Sequence, residues 1–101
     1  MIIYMDNANL QQQIETFINN NPAWKLQDNS LQANYEFADF EDAMRVVNAV
    51  AQVAEEQQHH PFWSNEYNKL GFILSTHDAG DVVTEKDLKL AEAIAVIVKG
   101  D

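Results

Sequence analysis

Two stretches in which apolar and polar residues alternate sit between three stretches in which apolar residues recur every three or four positions, with turn-prone residues between them. Leu10, Ile14, Phe17 and Ile18 form the first helical stripe, with Asn7 or Asn9 able to cap it and Asn19-Asn20-Asn21-Pro22 ending it. Trp24-Lys25-Leu26-Gln27 then leads into the turn Asp28-Asn29-Ser30. After it, Leu31, Ala33, Tyr35 and Phe37 alternate with Gln32, Asn34 and Glu36, the pattern of a hairpin with one wet face. Asp39 caps a second helix with Asp42 three residues on, and its stripe runs Ala43, Met44, Val47, Val50, Ala51 and Ala54 to about Gln58. A second strand pair surrounds Tyr67-Asn68-Lys69, with Leu70, Phe72 and Leu74 on one face. Thr84, with Asp87 in the position usually held by Glu, announces a last helix whose stripe is Leu88, Ala91, Ile94, Ala95 and Val98.

Hairpins require antiparallel neighbours, and three amphipathic helices need a shared apolar surface. The pattern therefore predicts an α+β fold of order α-β-β-α-β-β-α: a four-stranded antiparallel sheet with three helices on one face. At 101 residues the chain reads as one domain, 1–101. Ile73 and nearby aromatics are left for the other face, where a second subunit is the expected cover.

Charge narrows the function classes. Six Lys and Arg stand against 16 Asp and Glu, a net charge of -10, so a nucleic-acid backbone or an anionic membrane would repel the chain. The first residues, Met1 to Asp6, are apolar but too few for a span and lack a basic lead. With 0 Cys there is neither a disulfide frame nor a thiolate metal site, and the cytoplasm is the expected compartment.

His59, His60 and His77 all fall around the second hairpin. A three-residue loop, Tyr67 to Lys69, sets His59 opposite His77, whereas an Asn68-Lys69 loop sets His60 there. Cross-strand Cβ atoms lie about 4.5 to 5.5 Å apart, so either register would let two imidazoles address one small ligand. Pro61 excludes the helical region for His60 and puts the pair at a helix-to-strand junction. An ordinary imidazole pKa of about 6.5 suits general acid–base work. A zinc site is disfavoured, because adjacent histidines diverge and no HExxH spacing is present. Ser75 and Thr76 beside His77 lack the surroundings of a nucleophile.

The ordered set Glu55, His59-His60-Pro61, Trp63, Tyr67-Asn68-Lys69, Thr76-His77 and Asp87, together with Trp24, Phe37, Asp39, Phe40 and Ala43, resembles the pterin-4a-carbinolamine dehydratases. The resemblance implies a carbon-oxygen hydro-lyase, 4a-hydroxytetrahydrobiopterin dehydratase, that converts a 4a-hydroxytetrahydropterin into quinonoid dihydropterin without metal or organic cofactor. It implies catalytic His59, His60 and His77 and pterin contacts at Gln58, Ser75, Thr76 and Asp78. It also implies a homodimer or homotetramer. Gln58 stands where relatives often have an acid, and the stretch from Asp78 to Lys86 is one residue longer than the usual form. Asp87 reads as a helix cap, Glu55 equally as a support for one histidine or as an exposed helix-end carboxylate, and Trp24 and Trp63 as core or pocket wall. The alternative implied function is a dimerisation module acting as a transcriptional coactivator, since some animal relatives partner a homeodomain factor. The complete histidine set favours the enzyme.

Overall fold

The computed structural model describes residues 8–100. The elements are α1 (Ala8–Asn20), β1 (Trp24–Gln27), β2 (Ser30–Glu36), α2 (Phe40–Gln57), β3 (Phe62–Glu66), β4 (Lys69–Leu74), a 3-10 turn (His77–Ala79) and α3 (Glu85–Val98). This is the α-β-β-α-β-β-α order that the periodicity predicts. The strands form one antiparallel sheet in the order β1-β2-β4-β3, so the two hairpins meet through β2 and β4 in its centre. Among the described residues no helix is long and apolar enough to cross a membrane.

Local signals account for most boundaries. Asp28 and Asn29 both adopt positive φ, as a tight two-residue hairpin needs, and asparagine and aspartate tolerate it better than other residues. The Asp39 carboxylate accepts from the Asp42 backbone N–H and starts α2. Asn9 lies inside α1 rather than at its cap. Asn7 and the segment Met1 to Asp6 lie outside the described residues.

The core lies between the sheet and the helices. Trp24, Leu31, Ala33, Leu70, Phe72 and Leu74 supply the sheet side, and Leu10, Ile14, Val46, Val50, Leu90 and Ile94 the helix side. Trp24 stacks on Phe72 and donates its Nε1–H to the Tyr35 hydroxyl at 2.6 Å. Trp24 is thus core, and Trp63 packs against the same cluster. The buried stripe of α2 is Ala43, Val46, Val50 and Ala54, with Ala51 exposed, so the helix is turned slightly from the predicted stripe. Leu90 is buried as well as Leu88, because α3 packs against α1, α2 and β2 together.

The second hairpin departs from both predicted registers. Glu66 pairs with Lys69, so the loop is Tyr67-Asn68, and Phe62 pairs with Ile73. The reason is tertiary. The Asn68 Nδ2 donates to the Phe37 carbonyl at 2.8 Å, and the Phe37 N–H donates back to the Asn68 carbonyl at 2.8 Å. This exchange anchors the turn to the β2–α2 connection. The open sheet face also carries less apolar surface than predicted: the cross-strand pair Phe62 and Ile73 is exposed there, among Lys25, Gln32, Asn34 and Ser64.

Candidate active site

α2 ends at a left-handed residue. Gln58 has φ 53°, its N–H returns to the Ala54 and Glu55 carbonyls, and its side-chain amide donates to the Glu55 carbonyl at 2.7 Å. The next N–H, that of His59, also reaches the Ala54 carbonyl at 3.0 Å. The helix end therefore pins the backbone of the histidine pair before Pro61 starts the run into β3. At the far end of β4, Thr76 is fixed just as tightly. Its N–H donates to the Val82 carbonyl, and its own carbonyl accepts from Ala79 and Asp81. His77 is carried outward on the 3-10 turn that follows.

Each histidine is hydrogen-bonded to one carboxylate. His59 Nε2 lies 2.5 Å from Asp87 Oδ1, with the imidazole side chain only 11% exposed and the carboxylate fully buried. His60 Nε2 lies 2.9 Å from Glu55 Oε1, and His77 Nδ1 lies 3.0 Å from Asp81 Oδ1; both of these pairs are exposed. One ring nitrogen of each imidazole is thereby engaged and the other left for a ligand. The hydrogen bond His77 gives to Asp81, then the Asp81 charge, raises the His77 pKa above the ordinary histidine value.

Asp87 is the centre of a buried polar cluster. Its Oδ2 accepts from the Thr76 hydroxyl at 2.7 Å and from the Thr84 backbone N–H at 2.8 Å, while the two threonine hydroxyls lie 2.6 Å apart. The predicted capping box between Thr84 and Asp87 is present, and the same carboxylate also holds His59. Sequence reasoning gave Asp87 only the first of these tasks. Its burial and its reach across 28 positions to His59 carry no local sequence signal.

The predicted site residues fall into three groups. His59 and Thr76 meet on Asp87, which the sequence offered only as a helix cap. His60 and His77 stand outside that cluster on their own carboxylates, and among the described residues no hydrogen bond joins one histidine to another. Extended beyond the strand ends, the observed register sets His59 level with Thr76 rather than with His77, which is why those two share Asp87. Of the predicted pterin contacts, Gln58 and Asp78 are exposed and Ser75 is half-buried. Thr76 is buried with hydroxyl, N–H and carbonyl all engaged internally. Glu55, an exposed helix-end carboxylate, is hydrogen-bonded to His60, so both of its readings describe it.

Among the described residues no group of three or more His, Asp or Glu side chains is arranged to hold a metal ion. An open groove of about 950 Å³ lies between α1 and α3 and is lined by residues such as Gln12, Thr16, Glu92 and Lys99. None of the candidate residues lines it. The histidines rather than the groove mark the candidate site, because imidazoles held by carboxylates offer acid–base chemistry that a cleft lined mainly by amide, aliphatic and exposed charged side chains does not.

Comparison with known proteins gives the family. The sequence pattern of the family described as Pterin 4 alpha carbinolamine dehydratase matches residues 7–97. The chain belongs to this family. A provisionally named pterin-4-alpha-carbinolamine dehydratase of Christiangramia forsetii is 42% identical over 94% of this chain and 97% of its own length. Another, from Acidobacterium capsulatum, is 44% identical over 84% of this chain and 91% of its own. Among solved structures, a Brucella melitensis protein described as a transcriptional coactivator/pterin dehydratase superposes with a TM-score of 0.80 at 26% identity, covering 96% of this chain and 99% of the other. A pterin substrate fits this family.

Proposed function

We propose that the protein dehydrates 4a-hydroxytetrahydropterins, of which tetrahydrobiopterin-type compounds are the expected natural substrates, through His59, His60 and His77. The observation that carries the reading is the pairing of every one of these histidines with its own carboxylate, which orients the ring and leaves one nitrogen open. In the reaction a base takes the N5 proton, an acid protonates the C4a hydroxyl, the C4a–O bond breaks and the N5=C4a double bond forms as water leaves. The balance is one proton taken and one given, so imidazoles suffice. His77 is the proposed acid, because Asp81 favours its protonated form and its exposed ring can meet a departing hydroxyl. His59, braced by buried Asp87, is the proposed base, and His60 with Glu55 completes the rim. Gln58, Ser75 and Asp78 are the proposed pterin contacts at that rim, with Thr76 acting from behind it. No organic cofactor enters the scheme, and a cytoplasmic setting fits a chain with 0 Cys.

The active assembly is proposed to be a homodimer or homotetramer. Phe62, 63% exposed on edge strand β3, and its partner Ile73 give the apolar surface that association of a chain at -10 needs. The coactivator description of the Brucella melitensis neighbour belongs to that protein; the complete histidine set here favours chemistry.

The deciding measurement is the loss of a chemically generated 4a-hydroxytetrahydropterin in stopped flow. The native chain should accelerate it, and His77→Ala, which removes an exposed side chain and leaves the fold intact, should lower kcat by about a hundredfold or more. Equal rates for the two proteins would overturn the assignment.

A further inference from the structure

The proton in the Thr76–Thr84 contact can be placed by elimination. Asp87 Oδ2 accepts the Thr84 backbone N–H, so the carboxylate is an acceptor there, and the Thr76 hydroxyl must spend its proton on the same oxygen. Thr76 Oγ1 then has only lone pairs to offer Thr84, and the Thr84 hydroxyl is the donor between them. Thr84 Oγ1 in turn accepts from the Lys86 backbone N–H. The chain runs one way, from the first turn of α3 through Thr84 and Thr76 into Oδ2 of Asp87. All three side chains are buried, so water does not compete for these positions.

We infer that Thr76, oriented by Thr84, is a positioning residue for His59: its hydroxyl and the Thr84 backbone N–H occupy Oδ2 of Asp87, turn Oδ1 toward the imidazole, and so hold His59 as the Nε2–H tautomer with Nδ1 as the nitrogen that exchanges a proton with substrate. Only Oδ1 remains for the imidazole, and it lies 2.5 Å from Nε2. An acceptor at that place demands a ring N–H, and a neutral imidazole has one N–H to give. The N-terminal cap of α3 therefore sets the chemistry of a ring 28 residues away from Asp87 in the chain. The tautomer follows from geometry alone, while its catalytic consequence rests on the dehydratase reading.

The test uses the full chain labelled with 15N in its histidines, with long-range proton–nitrogen spectra identifying the tautomer of His59. Neutral His59 in the native chain should carry its proton on Nε2. Asp87→Asn keeps the side-chain shape, but its amide must place the oxygen toward the Thr84 N–H and the NH2 toward the ring, so His59 should turn to the Nδ1–H form. With it kcat/KM for dehydration should fall about a hundredfold or more. Thr76→Val leaves Oδ2 with the Thr84 N–H alone, so the carboxylate is aimed less firmly: His59 should keep its proton on Nε2 while kcat/KM falls about tenfold, and Thr76→Ser, which keeps the hydroxyl, should restore the native rate. If Thr76→Val does not fold, Thr84→Val and Thr84→Ser make the same comparison from the other hydroxyl. An Nδ1–H tautomer in the native chain, or a threonine-to-valine variant that matches the native rate, overturns the inference. The spectra need no turnover, so a native chain with the Nε2–H tautomer and no dehydratase activity would sink the reading of function and leave the positioning intact.

Discussion

Replacing His59 by alanine should cost the fold far more than replacing either of the other histidines. The ring is 11% exposed and its Nε2–H is one of three donors to a carboxylate that is itself fully buried. Deleting one partner of a buried pair costs about 3 to 5 kcal/mol when the remaining charge is left with nothing. Asp87 keeps two donors, Thr76 and the Thr84 N–H, and the space vacated by the ring admits water to Oδ1. The loss should therefore fall nearer the worth of one charge-assisted hydrogen bond, about 2 to 3 kcal/mol. With a urea slope of about 1 to 1.5 kcal/mol per molar for a chain of this size, the unfolding midpoint should drop by about 2 M. Buried Trp24 provides the fluorescence signal. His60→Ala, removing an exposed ring, should stay within about 0.5 kcal/mol of the native chain, and His77→Ala should not move the midpoint. A double-mutant cycle of His59→Ala with Asp87→Asn should return a coupling of about 1 kcal/mol or more. If His59→Ala shifts the midpoint no further than His60→Ala, the buried pair is not holding this corner and the reasoning fails.

The His77 ring should titrate above the ordinary histidine value, and Asp81→Asn should bring it down, as NMR of the ring protons would record. Because the folded-state value is the raised one, whatever stability this pair lends is fully present below the unfolded-state pKa and is lost as pH rises through the folded-state value; a His77 that titrates lower in the native chain than in the variant would refute the pairing. Dehydration should proceed at an unchanged rate after exhaustive chelation, since each histidine is bonded to a separate carboxylate; activity lost on chelation and regained with one divalent ion would argue against imidazole chemistry. Light scattering should give a dimer or tetramer that tightens with salt as like charges are screened, and Phe62→Glu should weaken it; a native monomer at micromolar concentration in moderate salt would refute the association.

The elements themselves were legible because their causes are local. Asp39 with Asp42 and Thr84 with Asp87 cap helices within three residues of sequence, Asp28-Asn29 sets a turn between adjacent strands, and the periods of 2 and 3.6 mark which faces go inside. The ordered histidines also stand in the sequence as residue types, with the acids that turn out to face them, Glu55 and Asp81, only five and four positions away. Tertiary structure decided the rest. The hairpin register followed from Asn68 gripping the backbone of Phe37, 31 residues distant, and turn propensity could not foresee it. Asp87 was visible as a cap but not as the buried partner of His59, because that contact exists only once the N-terminus of α3 packs against the end of β4. Charge and residue type are properties of the sequence; which carboxylate loses its water, and which imidazole then has to satisfy it, is settled by how the helix seats on the sheet.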